Sequence, residues 1–122
     1  MEDNKMLFLC YWELNENMPV MDHLKLGKML LESGLFPPPD IELIRFDMTP
    51  DYWGITVFKA DSAEAAFTCI DLWRVAGTGV FKKINVSPAL TVKDASALGA
   101  KLYQTVKGAE AKMKEQQKTT PK

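Results

Sequence analysis

The side chains able to carry chemistry are few and scattered. Tyr11, Glu13, His23, Arg45, Asp47, Tyr52, Thr56 and Asn85 are the polar groups that fall on or beside predicted elements. Tyr11 and His23 could move a proton in a dry cavity, with Arg45 anchoring an anion and the rings of Trp12 and Trp53 forming walls for a flat ligand. An arginine inside a strand needs a carboxylate or a ligand anion if it turns inward, and Glu13 and Asp47 are the acids at hand. An edge ion pair or a solvated arginine is the plainer reading. Core packing is the plainer use of the rings, because a small sheet needs bulk merely to fill space.

Other chemistry is poorly supported. The chain has a single histidine, so a multi-histidine metal site is excluded and no metal is expected. Cys10 and Cys69 lie in different predicted elements without CxxC spacing, and read as buried thiols. Neither has the surroundings of a nucleophile, with His23 the only candidate base. Gly77-Thr78-Gly79 follows a predicted helix instead of opening one, so it is a turn and not a phosphate cradle.

The elements that must position these groups are legible from hydrophobic periodicity. Lys5 to Glu13 alternates as a strand, with Met6, Phe8, Cys10 and Trp12 on one side and Leu7, Leu9 and Tyr11 on the other. Both sides are apolar, so the strand wants cover on both. Pro19 suits the first turn of a helix that stops at Ser33-Gly34 before the stiff run Pro37-Pro38-Pro39. Its expected buried stripe is Met21, Leu24, Leu31 and Leu35, with Gly27 admitting a neighbouring backbone. Ile41 to Phe46 and Trp53 to Lys59 should pair as an antiparallel hairpin. Asp61-Ser62-Ala63-Glu64 is a capping signal for a helix over 62–76, in which Ala66, Phe67, Ile70 and Trp73 or Arg74 face one way. Val80 to Val86 is a fourth strand closed by Ser87-Pro88. After the cap Thr91-Val92-Lys93-Asp94, the residues Ala95, Leu98, Leu102, Val106, Ala109 and Met113 mark a long amphipathic helix. Its last turns, from Lys114, are expected to fray.

This order, strand-helix-strand-strand-helix-strand plus an added helix, predicts a ferredoxin-like β-α-β-β-α-β fold of the α+β class, with a four-stranded antiparallel sheet. At 122 residues, with 47% hydrophobic and 25% charged side chains, the chain makes one soluble domain over 5–113 followed by a polar flexible tail at 114–122. A start lacking a basic stretch and apolar core, with no membrane-length run, predicts a cytoplasmic protein that does not enter a membrane. Net charge is uneven: residues 1–92 carry 8 basic and 13 acidic side chains and residues 93–122 carry 7 and 3, so the body is near −5 and the tail near +4. The basic residues of the tail are all lysines and its one aromatic is Tyr103, a poor set for nucleic acid and a better one for an acidic protein surface.

The segments Met6-Leu7-Phe8-Leu9-Cys10-Tyr11-Trp12, Asp61-Ser62-Ala63-Glu64-Ala65, Leu72-Trp73 and Asn85-Val86-Ser87-Pro88-Ala89-Leu90 resemble a small domain-of-unknown-function family of the dimeric α+β barrel superfamily, over roughly residues 5 to 95. The resemblance implies a homodimer in which two sheets meet face to face. Burying ~600 Å² of apolar surface that way is worth on the order of 15 kcal/mol before the costs of association. Relatives include cofactor-free monooxygenases, haem-degrading enzymes, muconolactone-isomerase-like proteins, stress-response barrels and ligand-sensing modules, so the fold decides little about activity. The haem-degrading pattern, with its histidine on a later helix, does not map onto His23. Two functions are expected. One is a small non-enzymatic accessory or regulatory homodimer, needing no cofactor, that docks on a larger acidic protein through its lysine-bearing helix and takes a small hydrophobic ligand. The other is a cofactor-independent monooxygenase or isomerase acting on an aromatic or lactone-like molecule through Tyr11, His23 and Arg45.

Overall fold

Strict alternation gives β1 (Met6–Leu14) two different sides, and the rest of the fold is arranged about them. In the computed structural model, which describes residues 5–119, β1 is followed by α1 (Val20–Glu32), β2 (Glu42–Met48), β3 (Trp53–Ala60), α2 (Ala63–Ala76), β4 (Phe81–Ala89) and α3 (Val92–Thr119). This is an α+β fold. The strands form one four-stranded sheet in the order β2-β3-β1-β4, with every neighbouring pair antiparallel. The two most apolar strands, β1 and β3, are central. The chain divides into two compact units, Met1–Ala89 and Leu90–Lys122.

In the first unit one side of the sheet is sealed by α1 and α2. Phe8, Cys10 and Trp12 of β1 and Thr56, Phe58 and Ala60 of β3 are buried there with Leu26 and Leu30 of α1 and Ala65, Ala66, Cys69 and Ile70 of α2. The small residues of α2 let its backbone approach the sheet. Its start is fixed by Ser62, whose Oγ accepts the Ala65 N–H at 3.0 Å. Phe8 and Phe58 stack at 5.3 Å, and Phe36, Phe46 and Trp73 form a second ring cluster with centroids 5.2 to 5.7 Å apart. The one buried polar residue among these, Thr56, accepts the Trp12 indole N–H at 2.9 Å. Thr56→Val is therefore expected to cost about 1–3 kcal/mol, because it strands a buried donor while keeping the side-chain shape. Urea denaturation of the variant checks this.

Several details depart from the sequence reading. On α1 the buried residues are Leu26 and Leu30, whereas Met21, Leu24 and Leu31 are exposed, Leu35 is exposed past the end of the helix, and Gly27 has no neighbour within reach of a Cβ. This helix is apolar around more than half its circumference, so periodicity permits two stripes. Leu26 settles the choice by packing into the space that Gly77 leaves for want of a side chain. On α2, Phe67 lies outside the buried stripe and is 68% exposed. β4 continues through Ser87 and Pro88 to Ala89, since an edge strand tolerates a proline. The paired strands β2 and β3 follow the expected hairpin, with a register shift between Leu43 and Arg45.

The second unit is α3. Asp94 N–H donates to the Thr91 Oγ at 3.1 Å, so the predicted cap forms, and the helix runs past Lys114 to Thr119. The end of the predicted tail, 120–122, lies outside the described residues. Every residue from Val92 to Gln117 is exposed, the apolar stripe included. Among the described residues no helix is long and apolar enough to cross a membrane.

Candidate functional site

The side of the sheet turned away from α1 and α2 is where exposed apolar surface and polar candidates meet. Leu7, Leu9 and Tyr11 of β1 lie in register with Lys59, Val57 and Ile55 of β3, so their side chains share the open face. Apart from Lys59, which lies level with Glu42 of β2, these residues and Trp53 make an apolar centre. Leu9 is 47% exposed and Trp53 38% exposed, while Leu7, Tyr11, Ile55 and Val57 are half-buried by one another. The rims are polar: Glu42, Arg45 and Asp47 on β2, and Lys83, Asn85 and Ser87 on β4, the last two opposite Tyr11 and Leu9.

On this face the Tyr11 hydroxyl donates to Glu13 Oε2 at 2.6 Å, and its ring lies 5.8 Å from that of Trp53. The hydrogen bond to Glu13, followed by desolvation and the carboxylate charge, raises the phenol above its ordinary pKa. Tyr11 is thus held neutral, the opposite of what a base requires. Arg45 places Nη2 at 2.7 Å and Nε at 2.9 Å from the same Asp47 oxygen, so its charge is already answered at the exposed rim. The pair expected at the sequence level is present, and the anion anchor is engaged.

The remaining candidates are elsewhere. Trp12 points to the helix side, opposite Tyr11, and is buried. His23 sits near the start of α1, with Nε2 3.0 Å from the Asn15 carbonyl oxygen and its ring 6.2 Å from that of Tyr52. If Nε2 carries the proton, as a contact with a carbonyl requires, Nδ1 is a buried acceptor, and it has no partner. The structure therefore joins Tyr11 with Trp53 on the open face and separates both from Trp12. No group of histidines, cysteines and acids among the described residues could hold a metal ion.

The enclosed interior is filled. The cavity ringed by Trp12, Phe36, Phe46, Thr56, Trp73 and Phe81 has a volume of about 40 Å³, against roughly 300–1,000 Å³ for small-molecule sites. A larger apolar groove of about 330 Å³ opens between α2 and β4, floored by Phe8, Ala66, Ile70, Ile84 and Val86 and edged by Phe67. Sequence reasoning missed this groove because it placed Phe67 in the core. The signal was there: Phe67 follows Ala65 and Ala66, and only one side of a helix can lie against the sheet.

Cys10 and Cys69 occupy the core as expected. Burial raises their thiols to about 11 and about 12 from an ordinary 9.0, countered slightly at Cys10 by Arg74 and reinforced at Cys69 by the nearby Cys10. Both are expected to resist a thiol reagent at pH 8 until the protein unfolds, which a timed labelling assay with and without denaturant would read. The linkage has a definite sign. Above pH 9 the unfolded thiols ionise while the folded ones hold their protons, so stability present below that pH falls by up to about 1.4 kcal/mol per pH unit for each thiol.

No family model matches the chain, and no curated protein or solved structure matches it either.

Proposed function

We propose that this protein is a non-catalytic homodimeric accessory protein with a ferredoxin-like fold, whose open sheet face meets that of a second copy to form a dimeric α+β barrel and whose α3 is a docking arm for an acidic protein surface. The observation that carries the reading is the apolar centre of the open face, Leu7, Leu9, Tyr11, Trp53, Ile55 and Val57. Four strands and about seven residues of length give a face of roughly 20 by 25 Å, and face-to-face sheet packing is the ordinary way to cover such a surface.

A second copy suits this face because its two rims complement each other. A two-fold axis running along the strands between the layers sets the β2 rim of one protomer over the β4 rim of the other. Asp47, level with Tyr11, then comes within about two residues' length of Lys83, level with Glu13, while the apolar centres stack. The same packing withdraws the Tyr11–Glu13 pair from water, where its hydrogen bond is already made. The oxygenase or isomerase alternative has less support: Tyr11 and Arg45 are engaged by Glu13 and Asp47, and Trp12 faces the other way.

Hydroxyl-radical footprinting across a dilution series tests the reading. Tyr11 and Trp53 should become protected as concentration rises, while exposed Met21 on α1 stays equally reactive. Constant reactivity of Tyr11 and Trp53 from dilute to concentrated protein would contradict it.

A further inference from the structure

We infer that the groove between α2 and β4, together with the hollow adjoining its Arg74 end, is a binding site for an anionic single-chain amphiphile, a fatty carboxylate. The alkyl chain lies along the groove and the carboxylate meets Lys82. Ile84 and Val86 of β4 stand level with Trp12 and Cys10 of β1, so their side chains take the side of the sheet that α1 and α2 cover. The site is thus separate from the open face and from the association proposed above. With Ala66 and Ile70 of α2 these residues line a trough of about 330 Å³, walled by the Phe67 ring. That volume falls at the lower end of small-molecule sites. The lining is apolar except for Asp71 and Arg74, whose charges answer each other at 3.2 Å. A neutral pair selects no ligand by itself.

The selecting charge comes from the adjoining hollow. It has a volume of about 520 Å³, shares Arg74 and Ile84 with the groove, and is lined also by Gly77, Gly79, Lys82 and Lys83. Between Leu72 and Lys93 the chain has no acidic residue. Lys83, level with Glu13, belongs to the rim of the open face, whereas Lys82 falls in the register shift between Phe81 and Lys83 and has no partner residue in β1. Such an extra residue re-aims its side chain out of the ladder. Lys82 is exposed, and no carboxylate among the described residues pairs with it. The other end of the groove carries Glu64 beside Ala63 and Phe67, so an anionic head has one favourable end to occupy. Arg74, in the last turn of α2, offsets the negative end of that helix. The same charges tell against the terminal helix as occupant: residues 93–122 carry 7 basic and 3 acidic side chains, a surplus of the wrong sign for Lys82.

The test titrates the full-length protein calorimetrically with dodecanoate, decanoate and dodecyltrimethylammonium, each below its micelle concentration, and uses methyl chemical shifts to locate the bound chain. Dodecanoate should bind saturably and more tightly than the cationic amphiphile, shifting Ile70, Ile84 and Val86 while Leu9, Ile55 and Val57 stay in place. Decanoate, two methylenes shorter, should bind roughly tenfold more weakly. Lys82→Glu, at an exposed position, should weaken dodecanoate about tenfold and turn the preference toward the cation. Phe67→Ala, also exposed, should weaken both amphiphiles several-fold. Leu9→Arg should bind dodecanoate as the parent does, because the open face is no part of the site. No saturable binding, equal binding of the two charge types, an unchanged affinity in Lys82→Glu, or shifts confined to Leu9, Ile55 and Val57 would overturn the inference.

Discussion

For the dimer proposed above, Leu9→Arg is expected to leave monomers, with the dissociation constant raised at least ~10³-fold. Leu9 stands at the middle of the open face, paired across to Val57 on one side and Ser87 on the other, and already half exposed in the single protomer. A guanidinium there costs the isolated fold little, since it can reach water. In the face-to-face pair the symmetry brings in two such charges at once. Each would be buried without a carboxylate opposite, and a disrupted central contact costs about 2–4 kcal/mol. Sedimentation velocity on the variant and the parent reads the change, and circular dichroism of the variant should stay that of a folded protein. Asn85→Asp is a useful contrast, because it adds a charge at the polar rim where little energy resides.

Phe58→Ala is the largest expected loss of stability, about 3–5 kcal/mol. Phe58 is fully buried on β3 and stacks on Phe8 at an interplanar angle of 9°. Truncation removes that contact and leaves a void between the sheet and the helices, which the ring clusters on either side are too constrained to fill. A domain of this size has a total stability of only about 5–15 kcal/mol, so the variant should lose a large share of it and melt well below the parent. Urea denaturation at fixed protein concentration should show a lower midpoint with an unchanged slope. Ile55→Ala, on the opposite side of the same strand, should cost the protomer much less and weaken the association instead.

The architecture was legible because its determinants are local. Alternation in β1, the Ser62 and Thr91 caps and the Pro37–Pro39 stop each act within a few residues, and the structure holds every element they announce. The two-sided apolar character of β1 also appears, with Phe8, Cys10 and Trp12 inward and Leu9 outward, although Met6, expected on the inward side, is exposed at the start of the strand. Which face of α1 is buried could not be read. It depends on Leu26 meeting Gly77, a contact between residues far apart in the sequence whose register only the fold sets.

The candidate site was legible in parts. Arg45 with Asp47 was expected and is present, since residues two apart on a strand share a face. Tyr11 with Glu13 follows the same rule and is a closer pair. Trp12 and Trp53 could not be told apart as wall or core by type alone: the structure buries the first against Thr56 and leaves the second on the open face beside Tyr11. The groove beside α2 was hidden because Phe67, an aromatic in a helix, looks like core until the small residues next to it are seen to be the ones that touch the sheet.

The central claim, that the open face is the seam between two copies, is tested most directly by isotope-filtered nuclear Overhauser spectroscopy on a mixture of ¹³C-labelled and unlabelled protein. Cross-peaks between labelled and unlabelled molecules should join the methyl groups of Leu9, Ile55 and Val57 to the rings of Tyr11 and Trp53. A dimer whose intermolecular cross-peaks come from other residues, or a protein that stays at 13.7 kDa at every concentration, would contradict it.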